Sequence, residues 1–244
     1  MTDIKKYYLE QSNRSKISKS FADKFPDTPN EIMKKVRKLI FHPCECIDNF
    51  DDENWPRYFT IKELEEKLKK QTPVVGKCRE YTLLSVAVMR AKGIPARSRC
   101  GFATYFDAGI YEDHWVVEYW NKGWKMADAQ KKMYNLTTGE FINGAIAWQL
   151  VRKYKFNPSL FGFTGGDCSL GFHYVVGQLI RDVSGLLKDE LEYAEENKIM
   201  LKGYKLKDEE FALFDSVSEL VLNDDIEKLK PIFAKLKENI KIGK

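Results

Sequence analysis

The segment that most constrains the fold is the run CREYTLLSVAVMRAK at residues 78–92, which is followed by Gly93. Apolar residues occupy nearly every position from Leu83 to Met89, so the pattern predicts a helix that is buried on all sides. Gly93 is suited to end this helix, because glycine adopts the left-handed backbone conformation at little cost. A helix buried in this way must be covered by other elements of the chain.

The sequence after this helix changes to short runs rich in β-branched and aromatic residues. The runs are IPARSRCGFATYF, DHWVVEYW and GWKMADAQ. Asn121, Lys122 and Gly123 separate the last two runs, which predicts a tight hairpin. We therefore expect an α+β fold in which the buried helix packs on an antiparallel sheet of at least three strands.

Helical patterns lie on both sides of this centre. Before it, we predict a helix over residues 30–41 that is capped by Asn30, and a helix over residues 60–71 with the capping-box spacing from Thr60 to Glu63. After it, and around a glycine-rich loop at residues 161–171, the pattern predicts helices over residues 141–154, 173–198, 208–222 and 225–240.

The domain organisation follows from the absence of an obvious linker. No Pro/Gly/Ser-rich stretch separates residues 171–244 from the rest, so we interpret residues 1–244 as a single domain. Its core spans about residues 73–130, with an N-terminal helical segment at 1–72 and a C-terminal helical segment at 141–244.

Composition and charge exclude several classes of protein. The chain is 43% hydrophobic and 31% charged, and its net charge of +4 comes from Lys and Arg interspersed with Asp and Glu. This arrangement argues against a nucleic-acid partner. No apolar run approaches the roughly 20 residues of a membrane helix, and no signal peptide is recognisable. The five cysteines are an odd number, so we expect reduced thiols and a cytoplasmic location.

Cys78 is the first candidate for a reactive group. It lies at the predicted start of the buried helix, between Lys77 and Arg79, rather than among apolar residues. The positive end of the helix dipole and the N–H groups of the first turn favour the thiolate, which is the nucleophilic form. The same N–H groups can bind an oxyanion, so this cysteine suits acyl transfer if an imidazole reaches it.

His114 and Asp128 are the candidates that complete such a site. His114 begins the second predicted strand and Asp128 ends the third. With the hairpin centred on residue 121, antiparallel pairing places position 114 opposite position 128, and the carboxylate can then orient the imidazole. The predicted set is Cys78 as nucleophile, His114 as base and acid, and Asp128 as the orienting group.

These residues resemble a known family. Cys78 at a helix start, RAKGIPARSRCGF, His114 in DHWVVEYW and Asp128 in GWKMADAQ are similar to the transglutaminase-like superfamily, relatives of papain-type cysteine proteases. The longer stretches GFATYFDAGIYEDHWVVEYW and HYVVGQLIRDVSGLLKDEL resemble a bacterial branch of unassigned function. The resemblance implies an α+β, papain-like core in which the cysteine helix packs on an antiparallel sheet that bears the histidine and the aspartate.

The resemblance also implies an activity. It implies acyl transfer from a carboxamide through a thioester to water or to an amine, as in a protease, an amidase or a transglutaminase, without a cofactor or a metal. The substrate would be a peptide, a protein or a small amide, and the sequence does not determine which, nor the oligomeric state. The alternative is a protein-binding module that keeps the fold without turnover, with the C-terminal helices as its partner surface.

Other residues invite a second interpretation. His42, Cys44 and Cys46 occupy every second position of HPCEC, so in an extended segment they would share one face and could bind a metal ion. The nearby sequence does not supply the second half of a tetrahedral site. Gln71 and Trp55 are weak candidates for a second oxyanion donor. Arg79 and Glu80 could bind substrate, but we favour an ion pair between them. Trp115 could shield a thiolate–imidazolium pair from water.

Overall fold

The structure of the protein is a computed structural model that describes residues 3–42, 56–106, 109–165 and 169–242. These residues form two compact units. The first unit comprises Met1–Arg99 and Trp115–Thr137, and the second comprises Cys100–His114 and Thr138–Lys244. The interpretation of residues 1–244 as one domain stays a prediction.

The described residues contain both helices and strands. The helices are α1 (Asp3–Tyr7), α2 (Lys19–Ala22), α3 (Pro29–Leu39), α4 (Ile61–Leu68), α5 (Cys78–Ala91), α6 (Gly144–Arg152), α7 (Phe172–Leu186), α8 (Asp208–Leu222) and α9 (Ile226–Lys237). The strands are β1 (Ile40–Phe41), β2 (Val74–Val75), β3 (Ala96–Ala103), β4 (Tyr111–Trp120), β5 (Trp124–Asp128), β6 (Met133–Leu136), β7 (Phe141–Asn143), β8 (Phe161–Phe163), β9 (Ser169–Leu170), β10 (Glu195–Asn197) and β11 (Ile240–Ile242).

The centre of the first unit is α5, and it is the buried helix that the sequence predicts. Every residue from Cys78 to Arg90 is buried, and Gly93 follows the helix with a φ of 77°. The helix packs on α3 and α4. The hydrophobic cluster around it also includes Val117 and Ala127 from the hairpin strands, so helix and sheet share one core.

The two helices that cover α5 begin close to where we predicted. The capping box of α4 is confirmed, because the Glu63 N–H donates to Thr60 Oγ1 at 3.3 Å and the Thr60 N–H donates to Glu63 Oε2 at 3.2 Å. The prediction for α3 ended two residues too late, and its N-cap is Thr28 rather than Asn30. Ile40 and Phe41 pair instead with Val74 and Val75 as parallel strands β1 and β2.

The predicted hairpin is present, but its register differs from our prediction. Strands β4 and β5 pair antiparallel with Trp120 opposite Trp124 and Val117 opposite Ala127. The centre is therefore residue 122, not 121, and continuing the register places Val116 rather than His114 opposite Asp128. The physical reason is the turn: the Asn121 N–H donates to the Gly123 carbonyl at 2.8 Å, so all three turn residues lie outside the ladder.

The sheet of the first unit has the strand order β6-β5-β4-β3. A buried charge cluster ties β3 to β4, because Arg97 Nε and Arg99 donate to Glu118 at 2.5 Å and 3.1 Å. Burial alone would raise the pKa of the Glu118 carboxyl, but the two guanidinium groups outweigh burial and hold it below its usual value. Ionic hydrogen bonds therefore supplement the apolar core here.

The second unit is mostly helical. Helix α6 packs on α7 and α8, and the Trp148 indole lies among aromatic rings of α7 and α8 while its N–H donates to Asp215 at 2.7 Å. The last residues of β3, Gly101–Ala103, pair with β7, and the first residues of β4 pair with β8. Gly101 is required, since a Cβ there would lie 2.1 Å from the Ile142 carbonyl oxygen.

Three predicted helices of this unit need correction, whereas the prediction for residues 208–222 is confirmed by α8. Residues 141–143 form strand β7, because they complete the pairing of β3, and α6 begins only at Gly144. Helix α7 ends at Leu186, where the N–H groups of Asp189 and Glu190 turn back to the Ser184 carbonyl. Strands β10 and β11 then pair, so helix is absent from residues 195–197 and 240–242.

Candidate active site

Cys78 is the first residue of α5, as the sequence predicts. The segment before it is fixed by pairing, because β2 lies beside β1 and the Gly76 N–H donates to the Phe41 carbonyl at 3.0 Å. Gly76 permits this close approach, since a Cβ there would lie 2.8 Å from Ile40 Cγ2. Lys77 has an extended backbone and its N–H donates to Glu80 Oε2 at 2.8 Å, which starts the helix at Cys78.

The first turn of α5 is anchored by a buried ion pair. Arg79 donates to Glu80 Oε1 at 2.9 Å, and both side chains are 1% exposed. The same guanidinium donates to the carbonyl of Tyr58 at 2.8 Å. The interpretation of Arg79 and Glu80 as an ion pair is therefore confirmed. Burial, and secondarily the Glu80 carboxylate, raises the pKa of the Tyr58 hydroxyl beside this pair.

Asp128 is the last residue of β5 and is buried. Its Oδ1 accepts the N–H of Lys131 at 3.0 Å, so the carboxylate closes the turn after the strand. A β-bulge between Met126 and Asp128 shifts the pairing with β6 at this point, and bulges are a common way to redirect a side chain at a strand end. Asp128 and Cys78 both lie in the first unit.

His114 lies in β4 and belongs to the second unit. Its buried ring contacts two aromatic residues edge-on, with Phe106 at 5.0 Å and Tyr105 at 6.2 Å between ring centroids. The residues predicted for the site do not include this pair, although the motif GFATYF contains both. We had assigned shielding to Trp115, whose side chain is also buried; that role stays a prediction.

The corrected register changes which positions of β4 and β5 lie opposite each other, but not the face on which β4 presents position 114. Side chains alternate along a strand, so positions 114 and 116 share one face of β4. A register error of one residue would have moved His114 to the other face, whereas the actual error is two residues and keeps the face. The predicted pairing of positions 114 and 128 is thus wrong, while the predicted side of the strand is kept.

Two further candidates can be located in part. Gln71 is exposed after α4, and Trp55 lies outside the described residues. Cys44 and Cys46 of the HPCEC motif also lie outside them, so the metal hypothesis stays a prediction. Within the described ranges, no group of three His, Cys, Asp or Glu side chains is placed to hold a metal ion. The helices of those ranges also include none that is long and apolar enough to span a membrane.

Comparison with known proteins identifies the core. The profile of the transglutaminase-like superfamily matches residues 19–129, a region that contains Cys78, His114 and Asp128. The predicted resemblance is therefore confirmed over residues 19–129, and the α+β fold class is confirmed with it. Helix α5, with Cys78 at its first residue, lies within that match.

Two other comparisons add little beyond this family. No curated protein matches the sequence significantly. Among solved structures, the chain is similar to a protein from Cytophaga hutchinsonii that is named as a putative cysteine protease, at 17% identity and a TM-score of 0.39. The match covers 55% of this chain and 44% of that one, so the chain spans less than half of that protein's length.

Proposed function

We propose that the protein is a cysteine-dependent acyl transferase or amide hydrolase that acts on a carboxamide substrate through a thioester. The proposed catalytic residues are Cys78, His114 and Asp128. The observation that carries the proposal is the position of Cys78, at the first residue of a helix that is buried from Cys78 to Arg90 and lies inside the transglutaminase-like match. Such a position favours a thiolate and supplies N–H groups for an oxyanion.

The first half of the proposed reaction forms the thioester. His114 accepts the proton of the Cys78 thiol, and the sulfur attacks the carbonyl carbon of the carboxamide, so that a C–S bond forms and the oxygen becomes an oxyanion. N–H groups at the start of α5 stabilise this oxyanion. The C–N bond then breaks, His114 returns the proton to the leaving nitrogen, and ammonia or an amine departs.

The second half of the reaction releases the acyl group. Water or a primary amine attacks the thioester carbon while His114 accepts its proton, and the Cys78 sulfur leaves and is reprotonated. Water as acceptor gives hydrolysis or deamidation, and an amine gives transamidation. In both halves Asp128 holds the imidazole in the required tautomer and stabilises the imidazolium.

The proposal is tested by a panel of blocked glutamine and asparagine peptides and peptide amides. Ammonia release is measured with and without a fluorescent primary amine, and acid-quenched samples are examined by mass spectrometry for an acyl group on Cys78. We expect release and the adduct in the native protein and in Cys100→Ala, and neither in Cys78→Ala. Incorporation of the amine would identify a transamidase.

A contrary result would have a clear meaning. Ammonia release that survives Cys78→Ala would exclude Cys78 as the nucleophile. His114→Ala should lose turnover while unfolding at a similar denaturant concentration, and full activity in that variant would exclude it as the base. If the folded protein turns over no member of the panel but captures one specific protein, the binding-module alternative is favoured.

A further inference from the structure

Helix α3 presents a lysine-rich face beside the core. Its buried face carries Ile32, Met33 and Val36, which pack into the first unit. The other face carries Glu31, Lys34, Lys35 and Lys38, at the spacing i, i+3, i+4 and i+7 that aligns side chains along a helix. A lysine face of this kind is often no more than a solvated surface, so its surroundings decide what it can do.

This face forms one wall of a cavity of about 830 Å³ in the first unit, which we name the α3 groove. Lys132 and Tyr134, from the segment after β5, also line it. The charged residues that line the groove are five cations and one carboxylate: Lys34, Lys35, Arg37, Lys38, Lys132 and Glu31. The lysines of α3 therefore line an open groove with a large excess of positive charge.

The cations that line the α3 groove differ in whether they already bind other groups of the protein. Lys34 pairs with Glu31 at 2.6 Å, and Lys35 donates to the Lys24 carbonyl. Lys38 and Lys132 are exposed, and no carboxylate of the described residues lies within ion-pair distance of either. These two ammonium groups, from two separate segments that line the groove, are available to bind an anionic ligand without breaking an existing ion pair.

Arg37, which lines the α3 groove, contacts segments next to the proposed catalytic residues of the first unit. Arg37 Nε donates to the Gln130 carbonyl at 2.8 Å, two residues after Asp128. The same guanidinium lies 5.8 Å from the ring of Tyr81, which is one helical turn after Cys78. Arg37 thus joins the wall of the groove both to the start of α5 and to the end of β5.

The electrostatics of Tyr134 agree with this placement. Burial raises the pKa of its hydroxyl, and the charges of Lys34, Glu31, Arg37 and Asp128 all act on it. The Asp128 carboxylate and the cations of the groove are therefore close enough to influence one phenol group. A ligand that occupied the groove would lie beside the strand end that carries Asp128.

We propose that the α3 groove binds an acidic segment of a polypeptide substrate, whose carboxylates face Lys38 and Lys132 while its reacting carboxamide extends toward Cys78. This inference rests on the proposed function. A volume of about 830 Å³ is in the range of ligand and peptide pockets. Sites for single-stranded nucleic acid instead use a series of aromatic platforms, and Tyr134 is the aromatic side chain that lines this groove.

Binding is measured on Cys78→Ala, so that turnover cannot change the ligand. The probe is a fluorescein-labelled peptide with one glutamine flanked by glutamates, and fluorescence anisotropy is followed at low and at physiological salt. We expect the double variant Lys38→Glu/Lys132→Glu to bind about tenfold more weakly, since two attractions become repulsions. The matched control is Lys67→Glu/Lys70→Glu. It reverses the charge of one exposed lysine in α4 and one just after it, and it should bind the peptide as tightly as Cys78→Ala alone.

Each other outcome overturns the proposal. These outcomes are absence of binding, equal binding of a peptide with serines in place of the glutamates, and equal weakening in both double variants. Tighter binding of a single-stranded oligonucleotide of equal charge would also overturn it. The proposed function is tested separately. If the acidic peptide binds as expected but the native protein releases no ammonia from it, the result supports peptide binding in the α3 groove and contradicts the acyl-transfer function.

Discussion

Two cysteines of the described residues lie in different settings, one at a helix start and one in the middle of a strand. Cys78 begins α5, is 7% exposed and has Lys77, Arg79 and Glu80 as neighbours in sequence. Cys100 lies in β3 with 0% exposure, its Sγ–H donates to Gln178 Oε1 at 3.0 Å, and its N–H donates to Asp182 at 3.1 Å. Both residues are buried, so burial alone does not separate a reactive cysteine from a structural one.

The difference lies in what surrounds the sulfur. At a helix start the dipole and the N–H groups stabilise the negative charge of a thiolate. The surroundings of Cys100 accept a hydrogen bond from its thiol, and a neutral thiol is the form that can donate one. We therefore expect Cys78 to be the reactive cysteine and Cys100 to be a structural one, and four experiments test this difference.

The largest expected effect is on turnover. Cys78→Ala should lower kcat at least about a thousandfold, because removal of a nucleophile leaves only the contribution of binding and of the oxyanion donors. Cys100→Ala should keep activity within a fewfold of the native value. Steady-state ammonia release on one substrate compares the two variants, and similar losses in both would abolish the distinction.

The second effect concerns the anchor of the α5 start. Arg79→Ala should lower the free energy of unfolding by about 3–5 kcal/mol, because it leaves the Glu80 carboxylate buried without its cation. Lys34→Ala removes an exposed partner of Glu31 and serves as the control, with no measurable change expected. Urea unfolding measures both, and an Arg79→Ala protein as stable as the control would mean that water reaches Glu80.

The third effect is on thiol reactivity. At about pH 6, we expect iodoacetamide to modify Cys78 about a hundredfold faster than Cys100, because the Cys100 thiol is fully buried and donates to Gln178 whereas Cys78 lies at a helix start. Peptide mass spectrometry resolves the two sites in one sample. In His114→Ala the rate at Cys78 should fall toward that of an ordinary thiol, and rates that do not change would show that His114 does not activate this sulfur.

The smallest effect is on the stability of the Cys100 site. Cys100→Ala should cost about 1–3 kcal/mol, since the buried Gln178 Oε1 loses its donor. Cys100→Ser restores a donor at the same position and should lose less. Thermal unfolding compares Cys100→Ala with Cys100→Ser. Equal losses of stability in the two variants would mean that lost packing, rather than the lost hydrogen bond, destabilises the protein.

The local features of the first unit could be predicted from the sequence because short-range patterns determine them. The buried helix with Cys78 at its first residue, the capping box of Thr60 and Glu63, and the turn at residues 121–123 all depend on neighbours in the chain. The order of Cys78, His114 and Asp128 was enough to recognise the superfamily core. The assignment of those three residues to catalysis remains a prediction.

The errors lie where distant segments compete for the same backbone. Residues 195–197 have helical character in the sequence, yet they pair with residues 240–242, and residues 141–143 complete the pairing of β3. Strand pairing across such distances overrides a local propensity that is worth only a fraction of a kcal/mol per residue. The hairpin register failed for a related reason, since one turn sequence is compatible with more than one hydrogen-bond pattern.

The sequence by itself determined the class of fold, the helix that presents Cys78 and the chemistry that a thiol there can perform. Only the tertiary structure decided that the Arg79–Glu80 pair is buried, that Phe106 and Tyr105 contact the ring of His114, and that Lys38 and Lys132 line one groove. Helix starts and turns depend on interactions a few residues apart, which a sequence displays directly. Burial, ion pairing and the walls of a cavity depend on which distant segments meet, and that is decided when the whole core packs.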